Sequence, residues 1–275
     1  MSDRVLITKS DGEQEVFDVA KLEHSLARAG ASSIVRARIT KRIVEDLKPG
    51  MTTSEIYRHA FDVLRHEDAH PVAARYSIKR AVFDLGPSGF PFEQFLAEVM
   101  RGHGWSVRTD QMVLGRCVEH EVDVVAEKDG RRVGIEAKFH NVPGGKTDIK
   151  DALYVYARYE DLARSPHAKT RIDEGWLVTN TSFTSHAIRY AQCANLVLIA
   201  WDYPREKNLF SMIEDVHMHP ITCLTTLSEH EKRVLLDHNI VLCKSVCSAH
   251  VLREYGIKPD SIPLIIQEAT TLSGV

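Results

Sequence analysis

The sequence predicts an α/β protein, α+β overall, in three parts: a small hairpin-plus-helices unit, a mixed-sheet core and a small helical C-terminal region. Three patterns predict it. A hairpin at residues 3–17 precedes four runs of helical periodicity. From Phe92 to Trp201 the elements read α-β-β-β-α-β-α-β. From about Phe210 onward the pattern is helical again, in short pieces.

The chain has 275 residues, 44% hydrophobic and 27% charged, the make-up of a soluble globular protein with a buried core. A net charge of -3 gives no global basic signature for nucleic acid, although a local basic face can coexist with an acidic remainder. No apolar run is long enough to span a bilayer, and MSDRVLITKSDG lacks the apolar core of a signal peptide, so no membrane association is expected. The five cysteines show no framework spacing and fit reduced thiols in a cytoplasm. Cys243, Cys247 and His250 lack a second ligand pair at zinc-site spacing and read as helix residues.

In order, Arg4–Lys9 and Glu13–Phe17 are strands joined at Ser10-Asp11-Gly12. Asp18 caps a helix from about Val19 to Ala29, with Leu22, Leu26 and Ala29 on one face. A second helix covers Ser33 to Leu47 and breaks at Pro49-Gly50. Thr53 or Ser54 starts a third, and a fourth runs from Pro71 through Phe83. Gly86 to Pro91 is the clearest linker, which sets domains at 1–86, 92–206 and 207–275 with residues 87–91 between the first two.

Phe92–Arg101 is an amphipathic helix, Trp105–Val113 alternates like a strand, and a helix is expected from Thr147 to Ala163. Gly175–Thr179 and Asn195–Trp201 read as buried strands around a helix from Ser185 to Cys193. Beyond, 235–241 and 252–257 each look like a helix, a tight turn and a new apolar start, as in helix–hairpin–helix-like bundles, and a simple helical cap or dimerisation element fits equally.

The chemistry gathers between His120 and His140. Asp129-Gly130 between two β-rich runs signals a hairpin. Glu136 and Lys138, two apart on one strand, project to the same side, with Asp123 on the opposing strand. Acids in apolar strands are costly unless a metal or partner takes the charge. Asp123, Glu136 and the Ala137 carbonyl suit Mg²⁺ or Mn²⁺, hard cations that prefer oxygen, and Lys138 suits a developing phosphorane charge. Glu93 is placed to contribute from the preceding helix, Glu121 shares a strand face with Asp123, and Glu98 ranks lower. His120 and His140 bracket the stretch as hydrogen-bonding histidines. Arg116, Lys146, Lys150 and Arg158 are the basic residues near it for phosphate contact.

Two resemblances follow. Ile7-Thr8-Lys9-Ser10-Asp11-Gly12, Glu15, Phe17-Asp18, Lys21-Leu22, Thr53-Ser54-Glu55-Ile56 and Ala73-Ala74-Arg75-Tyr76 resemble the ATP-cone, a nucleotide-binding regulatory module. The resemblance implies that Ile7, Lys9, Glu15, Asp18, Lys21 and Thr53 surround an adenine nucleotide, ATP or dATP; Ser10 stands where the family motif often has Arg. Residues 90–205 resemble the Mrr-type restriction endonucleases of the PD-(D/E)XK superfamily, through Phe92-Glu93, Gly104-Trp105, His120–Asp123, Ile135–Lys138, Thr179–Thr184 and Ile199–Trp201. Tyr154 and Arg158 stand where many members carry Gln-x-x-x-Tyr. Together these imply a nucleotide-regulated, Mg²⁺-dependent DNA endonuclease, expected as a homo-oligomer, with Asp123, Glu136, Lys138 and Glu93 catalytic. The alternative is a catalytically silent nucleotide-sensing DNA-binding regulator.

Overall fold

The computed structural model describes residues 5–9, 12–66, 70–167 and 170–275. Arg4, Ser10 and Asp11 of the expected first hairpin lie outside them. The chain forms two compact units, one of residues 1–81, 221–234 and 243–275, the other of 82–220 and 235–242.

In the first unit β1 (Leu6–Thr8) pairs antiparallel with β2 (Gln14–Val16), placing Ile7 opposite Glu15. Helix α1 (Val19–Arg28) begins where Asp18 accepts the Ala20 N–H at 2.9 Å, as the cap pattern predicts. Ser32 caps α2 (Ser33–Asp46). Helix α3 (Thr53–His66) starts at Thr53, as expected, and is capped by Thr52. Thr52 N donates to Glu55 at 2.7 Å and Glu55 N to Thr52 Oγ1 at 3.1 Å, a reciprocal capping box. The expected helix from Pro71 through Phe83 is two, α4 (His70–Tyr76) and α5 (Ile78–Phe83). Between them the Ser77 hydroxyl donates to the Ala74 carbonyl at 2.8 Å, competing with the helical ladder. Leu22, Leu26, Ile39, Ile43, Ile56 and Leu64 fill this unit's core.

The second unit begins with α6 (Phe90–Gly102), which buries Phe92, Phe95, Leu96 and Val99. Five strands form its sheet: β3 (Ser106–Leu114), β4 (Glu119–Lys128), β5 (Arg131–Lys138), β7 (Glu174–Thr179) and β9 (Val197–Ile199), in that spatial order. Pairings β3–β4 and β4–β5 are antiparallel; β5–β7 and β7–β9 are parallel. The Asp129-Gly130 turn has φ of 53° and 75°, the left-handed pair that a two-residue hairpin requires. A short parallel pair, β6 (Lys146–Thr147) with β8 (Ser182–Phe183), stands apart. Thr147 is therefore strand, and α7 (Ile149–Ala163) starts two residues beyond it, after an Asp148–Asp151 capping box. Helix α8 (Ser185–Ala194) contacts α7, and α9 (Leu209–Asp215) follows β9.

The core of this unit joins Val125, Val155, Tyr159, Leu162, Leu177 and Leu198. Gly134 and Gly175 are register partners on β5 and β7, and the Tyr159 ring lies across both: a Cβ at either would come within 2.3 Å of it. The two glycines let α7 approach the sheet, which sets the height of its side chains over β5.

Three helices close the chain: α10 (Glu229–Asp237), α11 (Ala249–Glu254) and α12 (Ile262–Ser273). Left-handed Asn239 (φ 59°) and Gly256 (φ 75°) end the first two, at the turns the sequence marks. Within the first unit α12 contacts α4. Buried Glu268 of α12 accepts from the N–H and hydroxyl groups of Thr225 and Thr226, and Thr225 Oγ1 lies 2.7 Å from His70 Nδ1. A buried carboxylate satisfied this way ties the C-terminal segments to the N-terminal helices.

Candidate active site

Backbone pairing of β4 with β5 runs from Lys128↔Arg131 to Val124↔Ile135 and stops. Asp123 and Glu136 come next. Here the Asp123 carboxylate, not a carbonyl, accepts the Ala137 N–H, at 2.7 Å. β5 goes on pairing with β7 as far as Lys138↔Thr179. The two strands thus part at the predicted acids, leaving a gap bordered by Asp123, Glu136 and the Ala137 backbone. In an extended strand one residue's N–H and C=O share an edge, so the Ala137 carbonyl faces the gap as well.

The alternation predicted for Glu136 and Lys138 holds. Both face α7: Glu136 ion-pairs with Arg158, and Lys138 Nζ lies 2.9 Å from Asp151 Oδ1. Glu93 approaches from the first turn of α6. Burial, then Asp123, then Asp110, Glu136 and Glu121 push its pKa from the ordinary 4.5 to about 7. Burial and then Asp123 raise Glu136 to about 7 as well, against the opposing pull of Arg158 and Lys138. Asp123 is also raised, mainly by burial, with the Ala137 N–H opposing. The three carboxylates share one partly desolvated region and titrate as a group.

Sequence reasoning missed Asp110. It sits in β3 with φ 52°, between the pairs Thr109↔Val124 and Gln111↔Val122, and so across from Asp123. The register is the same on both sides of this position, so no residue is inserted and only the ladder pair is lost; Asp tolerates the left-handed conformation better than most. The legible signal was an aspartate inside an alternating strand run. Asn180 was missed too. Fully buried, it clamps the chain after β5: the His140 N–H donates to Asn180 Oδ1 and Asn180 Nδ2 donates to the His140 carbonyl, both at 2.8 Å.

The remaining candidates divide. Glu121 is exposed, and its carbonyl accepts from Arg158 at 3.0 Å. Glu98 pairs with Arg101, away from the acids. His120 Nε2 meets Asp161 Oδ2 at 2.9 Å, and Asp161 also accepts the Cys117 and Val118 N–H groups, binding the β3–β4 turn. The His120 hydrogen bond is the main reason the Asp161 pKa falls to about 2. His140 Nε2 lies 2.9 Å from Thr147 Oγ1. Burial, then Lys138, lowers the His140 pKa. Arg116, Lys146 and Lys150 are exposed as a phosphate contact requires; Arg158 is not, its side chain being 12% exposed and committed to Glu136.

Oxygen donors from Asp123, Glu136 and Ala137 suit Mg²⁺ or Mn²⁺. Buried Tyr159 supports that fit: its hydroxyl has no hydrogen-bond partner among the described residues and lies in the field of Glu136 and Asp123. As placed, no three Asp, Glu, His or Cys groups among the described residues converge on a metal position. The set closes only with the carbonyl and water, and with Arg158 off Glu136.

In the first unit Thr8 N donates to the Met51 carbonyl at 3.0 Å, which brings the start of α3, with Thr53, beside β1. Lys21 Nζ lies 3.1 Å from Glu15 Oε2, and Lys9 Nζ 2.8 Å from Glu13 Oε2. Ile7 is 4% exposed and belongs to the core, so its side chain is not open to a ligand. Asp18 is engaged as the α1 cap.

A strand-borne acid pair with a lysine two residues on, set in a mixed sheet between helices, is the arrangement that the restriction-endonuclease resemblance implies. Three family models match this chain: the ATP cone domain at residues 5–82, the Mrr-type restriction endonuclease catalytic domain at 87–204, and a domain described as AF1548-like, C-terminal, at 219–273. The chain thus carries an ATP cone domain fused ahead of an Mrr-type restriction endonuclease domain. An uncharacterized protein of Archaeoglobus fulgidus is 37% identical over 181 residues, 65% of this chain and 100% of the relative. The crystal structure of a protein of unknown function, AF1548, superposes with a TM-score of 0.56 at 34% identity, covering 68% of this chain and 100% of that one. No helix among the described residues is long and apolar enough to cross a membrane.

Proposed function

We propose that this protein is a divalent-metal-dependent endodeoxyribonuclease, regulated by ATP or dATP at its cone, acting in DNA defence or repair. The observation that carries the reading is the parting of β4 and β5 at Asp123 and Glu136, which aims two carboxylates and the Ala137 carbonyl into one gap. Asp123 and Glu136 would hold Mg²⁺ or Mn²⁺ there, with Ala137. When bound, such an ion polarises a phosphate and lowers the pKa of its water. Lys138, on the same face as Glu136, stabilises charge on the phosphorane or orients the attacking water. Glu93, with a pKa near 7, would hold or release a proton beside the attacking water or the leaving oxygen. In the cone, Lys9 and Lys21 neutralise nucleotide phosphate and the Thr53 turn offers N–H groups.

The test incubates the full chain with plasmid, linear and branched DNA, with and without Mg²⁺, and with ATP or dATP, following cleavage and oligomer mass together. Metal-dependent cleavage that a nucleotide alters is expected. DNA binding without cleavage under every metal would establish the silent regulator instead, a reading that the Arg158–Glu136 pair favours.

A further inference from the structure

One cation already lies among the acids. Arg158 Nη1 donates to Glu136 Oε2 and to the Glu121 carbonyl; Nη2 donates to the Tyr154 hydroxyl at 2.8 Å. Its guanidinium carbon is 4.8 Å from the centre of the Tyr154 ring. This guanidinium neutralises the carboxylate that the metal reading requires. A carboxylate oxygen held by a buried guanidinium is not open to a second cation, because like charges repel strongly where water is scarce.

The neighbouring residue gives an independent sign. Tyr159 is 5% exposed, its ring is fixed over Gly134 and Gly175, and its hydroxyl has no partner among the described residues. A buried hydroxyl in that state has been desolvated without return. The hydroxyl lies against Gly134, two residues before Glu136 on β5, and feels the charge of Glu136 and Asp123.

We propose that Arg158 is an exchangeable counterion of the catalytic site. It holds Glu136 while no metal is bound. It leaves Glu136, retained by Tyr154, when a divalent cation enters and a water of that cation takes the Tyr159 hydrogen bond. The inference rests on the metal reading of Asp123 and Glu136. It also goes further, because the chain then carries its own competitor for the metal. Apparent affinity is reduced by the fraction of molecules in which Arg158 has left Glu136.

The test measures Mn²⁺ binding to the full chain without DNA, by the electron paramagnetic resonance of free Mn²⁺. The variants are Arg158→Gln, Arg158→Lys, Tyr159→Phe and Glu136→Gln. Arg158→Gln is expected to bind Mn²⁺ about tenfold more tightly than wild type, and Arg158→Lys to return toward wild type. Tyr159→Phe keeps its metal-free melting temperature or gains, having lost only an unpartnered hydroxyl, yet binds Mn²⁺ several-fold more weakly. Glu136→Gln loses binding. Wild-type affinity in Glu136→Gln would overturn the metal site itself. If Glu136→Gln loses binding while Arg158→Gln binds no tighter than wild type, or as tightly as Arg158→Lys, the exchange is wrong and the site stands. Should Arg158→Gln not fold, Tyr159→Phe carries the test: unchanged Mn²⁺ affinity there overturns the exchange.

Discussion

In the nuclease unit the carboxylates of Glu93, Asp123 and Glu136 are partly buried, and a buried guanidinium answers them; in the cone Lys9 and Lys21 sit nearer the surface, each beside a glutamate. Both clusters were marked by short motifs, and their energetics differ. Surface pairs such as Lys21–Glu15 contribute about 0–1 kcal/mol, so the cone can hand its lysines to a phosphate at little cost. Glu136 and Arg158 are partly buried, so separating them costs more than separating a surface pair unless another cation or a proton takes the carboxylate. On the proposed reading the cone accepts an anion, and the acid site exchanges one cation for another.

The largest effect that breaks this comparison is expected at the strand acids. Asp123→Asn or Glu136→Ala should lower Mg²⁺-dependent plasmid cleavage by at least about a hundredfold, with circular dichroism showing the fold retained. Persisting cleavage would misassign the site.

A pH effect comes next. Glu136 rises from 4.5 to about 7 on folding, so between those values the native state binds more protons than the unfolded chain. Stability therefore falls as pH rises from 4.5 toward 7 and levels off above, by a melting temperature change on the order of 5 °C. Excess Mn²⁺ should remove the fall, since a bound ion keeps Glu136 ionised after Arg158 has left it. Melting curves from pH 5 to 8, with and without Mn²⁺, check both signs. A melting temperature that climbs over this range would contradict the buried-acid account.

In the cone, Lys21→Ala should weaken ATP or dATP binding about tenfold by calorimetry while leaving nucleotide-free cleavage unchanged. Equal affinity would remove Lys21 from the nucleotide site. The smallest effect is expected at Glu98→Gln, where cleavage stays within about twofold of wild type because Glu98 pairs with Arg101. A large loss there would reassign the α6 acid from Glu93 to Glu98.

The sequence made the elements legible wherever period and caps agreed. Asp18 as a cap, the Asp129-Gly130 hairpin and the succession of strands and helices along the restriction-endonuclease-like core follow from alternation and turn chemistry alone. The fourth helix broke at Ser77, and Thr147 became strand, because side-chain hydrogen bonds and a partner strand distant in sequence overrode local period. At the site, Glu136 and Lys138 were legible because spacing of two fixes their common face. Asp110, Asn180 and the role of Arg158 were not, because each depends on what lies opposite it in space: Asp123 across an unpaired position of the ladder, the His140 backbone, and the Glu136 carboxylate.

The central claim, a divalent cation between Asp123 and Glu136, is tested most directly by anomalous diffraction from Mn²⁺-soaked crystals of the full chain. The account predicts one anomalous peak bounded by the Asp123 and Glu136 carboxylates and the Ala137 carbonyl, with Arg158 no longer on Glu136. No peak in that gap, with Arg158 still on Glu136 in protein that cleaves DNA under the same Mn²⁺, would contradict it.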